Sequence, residues 1–184
     1  MKSIKLTTTL ILLLITTLTM AQIKIGGKLS YGSEIESLGI GAKAMYEISE
    51  NISLSGELNY FFGSNTTASN SFMGQNIGSS EVDTNLITLN TDLHYNFDIP
   101  NLNELNLYGI GGLNFSFYGT EVTSDNSFTG STSTDNNETF IGLNLGFGGS
   151  YPISNNLDLI SELKYIISDL DQIVFSAGIV YSLD

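Results

Sequence analysis

The chain has 184 residues, with six lysines and arginines against 19 acids for a formal charge of −13, and it has no cysteine. So few cations leave little to neutralise phosphates, which argues against nucleic acid as a partner. The missing thiols exclude a disulfide framework, thiolate metal sites and a lipid-modified cysteine anchor.

The N-terminus reads as a secretory signal over residues 1–21. Lys2 and Lys5 are basic, LILLLITTL (10–18) is apolar, and Thr19-Met20-Ala21 offers a small-residue cleavage site. The apolar stretch of nine residues is too short for a membrane helix, which needs about 20. Residues 22–184 are enough for one domain. They keep four lysines, no arginine and all 19 acids, a formal charge of −15. No further domain is expected after Asp184.

From Gln22 onward the apolar residues recur with period two, the pattern of strands. The run 22–31 places Ile23, Ile25, Leu29 and Tyr31 on one face. The run 38–48 does the same with Leu38, Ile40, Ala42, Ala44, Tyr46 and Ile48, and 52–62 with Ile52, Leu54, Leu58, Tyr60 and Phe62. Next come 85–97, carrying Ile87, Leu89, Leu93, Tyr95 and Phe97, and 104–119, carrying Leu105, Leu107, Leu113, Phe115 and Phe117. The last three runs are 139–151, 157–167 and 172–183. Eight runs of about ten residues suit tilted strands that cross a bilayer.

The connections alternate in kind. Ser49–Asn51, Asp98–Asn103 and Pro152–Asn156 are short, whereas Gly63–Glu81 and Thr120–Glu138 are long and polar. Tight turns at one end and long loops at the other fit a membrane barrel, with both chain ends on the short-turn, periplasmic side.

Such alternation also fits a soluble, lipocalin-like barrel with an apolar inside. Two features favour the reverse orientation. Aromatics end the apolar runs: Tyr31, Tyr60, Phe62, Phe117 and Tyr165 at the long-loop end, and Tyr46, Tyr95, Phe97, Tyr151 and Tyr181 at the short-turn end. Two such girdles mark headgroup boundaries. In addition Lys24, Lys28, Lys43 and Lys164 all fall on the polar parity, with Glu47, Glu57, Asp92, Asp158 and Glu162. These charges are expected in the lumen, because a lysine facing the bilayer midplane costs roughly 2–4 kcal/mol.

ELNLYGIGGLNFSFYG (104–119) holds three glycines, Gly109, Gly111 and Gly112, that suggest a phosphate-cradling loop. That chemistry needs a strand-to-helix transition, and here the alternation is unbroken. Glycine in a barrel strand instead allows bending or makes room for a neighbour.

MYEISENISLSGELNYFFG (45–63), LNLYGIGGLNFSFYG (105–119) and PISNNLDLISELKYIISDLDQIVFSAGIVYSLD (152–184) resemble the small eight-stranded outer-membrane proteins, the barrel family of the OmpA transmembrane domain and OmpX. The resemblance covers nearly all of 22–184. It implies an all-β, eight-stranded antiparallel up-and-down barrel in a bacterial outer membrane. Gly178, Tyr181 and Leu183 resemble the C-terminal signal read by the outer-membrane assembly machinery, although the family usually closes on an aromatic and this chain ends Leu183-Asp184.

The candidate site is a lumen polar cluster of Lys24, Lys28, Lys43, Glu47, Glu57, Asp92, His94, Glu162 and Lys164, with Lys43 placed opposite Glu57 and Glu47 opposite Ser53 by the short turn near Glu50. In a barrel of this size, side chains can fill the interior; the same charges can also be read as an ion-selective constriction. His94 is the only histidine, and the sequence places no serine beside it. No catalytic residue, metal or cofactor is expected.

The long loops repeat N-S-F-x-G at 70–74 and 126–130, offering Phe72 and Phe128 as contacts for another surface or as ordinary hairpin tips. Glu34, Glu36, Glu81, Asp83, Glu121, Asp125, Asp135, Glu138, Asp169 and Asp171 form an acidic crown, read as solvated charge or as a holder of divalent cations. The resulting expectation is a non-enzymatic barrel with a filled lumen and a structural or adhesive role, its partners being the bilayer, the assembly machinery and a surface partner reached through 63–81 and 120–138. A small-solute porin, an envelope lipid-modifying enzyme and a soluble carrier are the alternatives.

Overall fold

A computed structural model of the chain describes residues 23–63, 65–72, 75–99, 104–126 and 130–183. The expected leader 1–21 and Phe128 lie outside them, as does the side chain of Phe72.

The alternating runs form strands: β1 (Ile23–Gly32), β2 (Ser37–Ser49), β3 (Ile52–Phe61), β4 (Asn65–Phe72), β5 (Gln75–Phe97), β6 (Asn106–Asn126), β7 (Gly130–Ser154), β8 (Leu157–Ile167) and β9 (Gln172–Leu183). They pair in the order β3-β2-β1-β9-β8-β7-β6-β5-β4, with β3 also paired to β5. β1 meets β9 from Ile23↔Leu183 to Gly32↔Val174, so eight strands close a ring. Closure satisfies the backbone groups that a bilayer would leave without partners.

β4 stands outside the ring, bonded to the outer half of β5 from Asn65↔Asp83 to Phe72↔Gln75. The segments expected as long loops are therefore mostly sheet. β5, β6 and β7 are 23, 21 and 25 residues long, about twice what a bilayer crossing takes. Their outer halves, with β4, make a four-stranded antiparallel sheet raised beyond the girdle.

The short turn after β2 sets the next register, with Lys43 opposite Glu57 and Glu47 opposite Ser53. At the other end of the barrel, Ser33–Glu36 link β1 to β2. Glu36 there has φ 49°, a left-handed turn conformation, and its neighbour Ile35 is buried.

Orientation follows the alternation. Leu58, Leu89, Leu113 and Leu143 are 46–53% exposed on the outer wall, while Lys43 and Glu57 are each 2% exposed inside. The soluble-carrier arrangement requires the opposite and is overturned.

The interior is not uniformly polar. Ile35, Phe61, Leu86, Ile166 and Val174 form an apolar cluster, with Tyr118 and Leu170 packed against it. Tyr108, Ile160 and Val180 are buried near the mouth at the turn end. Ions and amides occupy the space between. Sequence reasoning missed these inward apolar residues, because those in strands sit on the polar parity and Ile35 and Leu170 lie in turns. Their trace is a doubling of apolar residues, as in YFF (60–62), YII (165–167) and IVF (173–175).

Candidate functional site

The expected lumen cluster divides into two groups. At the mouth, Lys24 Nζ lies 3.0 Å from Glu47 and 3.1 Å from Asp158. These side chains are 19–35% exposed, and pairs in contact with water contribute little stability.

Deeper in the barrel, three lysines meet three acids. Glu57 is the hub: Lys28 reaches it at 2.5 Å, Lys43 at 2.8 Å and Lys164 at 2.6 Å. Lys164 also contacts Asp92 at 3.0 Å, Lys28 lies 3.5 Å from Glu162, and Lys43 pairs with Glu162 as well. The charges balance, and all six side chains are essentially removed from solvent.

Neutral donors add to the ion pairs, while Glu162 Oε2 and Asn144 Oδ1 are buried without a hydrogen-bond partner. Tyr108 donates to Glu162 at 2.9 Å and Asn144 to Asp92 at 2.6 Å. Asn144 and Asn114 both donate to Asn90, at 2.9 and 2.8 Å. A network satisfied this far fixes its members in place, which favours one packing over its competitors more than it adds net stability.

The strands make room for the long arms with glycine. Lys28 faces Gly178 and Gly41 across the ladder, Lys43 faces Gly26, Asp92 faces Gly112, and Lys164 and Glu162 face Gly146 and Gly148. At Gly112 an added Cβ would stand 2.2 Å from Asp92 Oδ1 and 2.3 Å from the Thr91 carbonyl. Two of the three glycines in the suspected loop differ from it: Gly111 would meet nothing within 4 Å, and Gly109 only the Phe97 ring at 3.3 Å. Gly112→Val is expected to lower stability by about 1–3 kcal/mol through overpacking, and Gly111→Val to change it little. Urea unfolding of the purified barrel followed by circular dichroism compares the two.

His94 borders the ionic hub but bonds to a neutral neighbour. Its Nε2 is 3.0 Å from Ser55 Oγ, and its ring stacks on Tyr108 with centroids 4.8 Å apart. A serine does lie beside the histidine, contrary to the sequence reading, because β3 and β5 pair with Ser53 opposite His94. Ser55 and His94 are both 1% exposed, so a substrate has no approach to them in this conformation. Glu57, Asp92 and His94 also bring ligand atoms within 4.8 Å of one another. The Lys164 ammonium already lies between the two carboxylates, where a metal ion would have to compete with it.

The aromatic positions lie on the outer wall. Tyr31, Tyr60, Phe62, Phe117 and Tyr165 are exposed at one end, and Tyr95, Phe97, Tyr151 and Tyr181 at the other, with Tyr46 half-buried. Tyr60–Phe62 and Tyr95–Phe97 meet edge to face at 5.6 Å, a favourable aromatic geometry.

Residues 14–182 match the family model of the outer membrane protein beta-barrel domain. Among solved structures, the chain is similar to Ail, the attachment invasion locus protein of Yersinia pestis, at 16% identity and a TM-score of 0.53, over 89% of this chain and 97% of that one. The N-terminal β-barrel domain of Pseudomonas aeruginosa OprF gives 16% and 0.55, over 88% and 97%. A major outer membrane protein from Thermus thermophilus gives 12% and 0.65, over 89% and 100%. At these identities the likeness is one of fold. No curated protein matches the sequence.

Proposed function

The chain belongs to the outer membrane protein beta-barrel domain family, and from that premise we propose that the barrel is a filled anchor whose working surface is the raised sheet. A bacterial outer membrane is where this family and fold reside. The observation that carries the proposal is the length of β5, β6 and β7, which continue as paired strands after crossing the membrane. A barrel serving only as a plug would need no more than tight connections there.

The lumen supports the same reading. A solute crossing it would have to displace Lys43, Lys164 and Glu57 from their mutual contacts, and separating a buried pair is costly. The role is therefore contact between the cell surface and a partner, made through segments 63–81 and 120–138.

Two measurements test it. Purified protein in planar bilayers is expected to give no steady single-channel conductance; a stable open level would overturn the filled anchor in favour of a small-solute porin. Shortening both hairpins to tight turns is expected to leave the barrel folded and to abolish recovery of partners from surface extracts. Equal recovery by the intact and shortened proteins would remove the case for the raised sheet.

A further inference from the structure

The outer end of the lumen is closed by apolar side chains, and one polar group is trapped among them. Gln172, the first residue of β9, is 2% exposed, and neither its Oε1 nor its Nε2 has a hydrogen-bond partner. A Cβ placed on Gly32 would stand 2.8 Å from Gln172 Oε1, 3.2 Å from the Phe61 ring and 3.3 Å from the Ile35 Cγ2 methyl. The carboxamide, the ring and the methyl thus converge on one glycine.

Two residues further into the barrel along β1, β3, β5 and β9, polar side chains are paired. Asn59 donates to Thr88 at 3.1 Å, and Ser30 meets Ser176 at 2.9 Å. Among the described residues, Gln172 is the buried amide left with neither end bonded. A donor and an acceptor taken from water without replacement carry a penalty that nothing offsets.

The cover over this group is a short turn. Of the five buried residues in the apolar cluster, Ile35 alone is carried by a turn, Ser33–Glu36. Ser33, Glu34 and Glu36 are exposed, and Glu36 holds a φ of 49° that side chains rarely adopt. Ser33 ties the turn to β9. Its N–H donates to the Ile173 carbonyl at 2.9 Å, and its Oγ accepts from the Ile173 N–H at 2.9 Å.

Two opposed effects meet here. Withdrawing Ile35 exposes its own apolar surface and that of the cluster, which favours the shut position. It also brings water to both ends of the Gln172 carboxamide and releases the backbone of Glu36, which favours the open one. The effects are of one order, so the two positions lie close in free energy.

We propose that the turn Ser33–Glu36 is a lid with two positions: shut, with Ile35 over a dry Gln172, and open, with water on the carboxamide. Opening unseals the outer end alone. Lys43 and Glu57 keep each other deeper in the barrel, so water reaches the layer of Ser30 and Asn59 without gaining a path through the molecule. The lumen has an outer closure that moves and an inner one that does not.

Hydrogen exchange of the full barrel in lipid nanodiscs tests the lid at the Ser33 and Ile173 amides, whose bonds break when it lifts. Gln172→Leu keeps the bulk and removes the unbonded atoms. It is expected to raise protection at both amides by about tenfold and to leave the barrel at least as stable in urea. Ile35→Ser is expected to lower protection there by about tenfold or more, with the amides of Lys43 and Glu57 unchanged. Protection in Gln172→Leu at or below the wild-type level, or a less stable Gln172→Leu barrel, would overturn the proposal. So would an Ile35→Ser barrel that exchanges like the wild type, or one that loses protection equally at Lys43 and Glu57, since that is unfolding of the whole wall.

Discussion

Replacing Glu57 with glutamine is expected to cost the barrel about 3–5 kcal/mol, the range for removing one partner from a buried ionic group. Three ammonium groups lie within 2.8 Å of its carboxylate. Without that charge, Lys28 retains only the more distant Glu162, at 3.5 Å, and three cations share two acids. Water has no ready access, since the side chains of Glu57, Lys28 and Lys43 are fully covered. Glu47→Gln is the comparison, because its contact with Lys24 lies at the half-open mouth; a loss within about 1 kcal/mol is expected there. The chain has no tryptophan, so unfolding in urea is followed by circular dichroism. Equal midpoints for the two variants would show that the hub carries no special share of stability.

One residue further along β3 the direction reverses. Leu58→Arg is expected to destabilise by about 2–4 kcal/mol, the cost of a cation on the lipid side near mid-membrane. Leu58 is 53% exposed on the outer wall, and its cross-strand neighbours are Ala42 and Leu89. Neither neighbour offers an acid to pair with. Leu58→Phe keeps the surface apolar and is expected to change little. Unfolding from phospholipid vesicles measures both, and an arginine variant as stable as the phenylalanine one would contradict the assigned lipid face. Glu57 and Leu58 are consecutive, yet each fails if given the other's character.

That opposition was readable from the sequence, because a strand turns successive side chains to opposite faces and the lysines kept to one parity. The pairing of Lys43 with Glu57 was readable too, since the turn at Glu50 and Asn51 leaves little freedom of register. Convergence of Lys28, Lys164, Asp92 and Glu162 on Glu57 was not. Parity assigns a side, but height along a tilted barrel depends on the stagger between strands far apart in the chain. Ser55 beside His94 was hidden similarly, because a long hairpin separates β3 from the barrel half of β5 and does not fix their register. The inward cluster around Phe61 and Leu86 was masked by apolar neighbours on the lipid side. The raised sheet escaped because serine, threonine and asparagine on both faces leave no hydrophobic period to detect.

The unbroken pairing of β5, β6 and β7 has a mechanical consequence. Antiparallel hydrogen bonds run perpendicular to the strands, so a pull applied at the tip along the strand axis loads many of them together in shear. Such an array resists until it gives way as a block, whereas bonds loaded in sequence break singly. β4, joined through Phe62 and Gly63 and interrupted between Asn70 and Ser71, is placed to peel away first. Under tension the sheet would shed β4 while the three long strands carried the force down into the barrel wall.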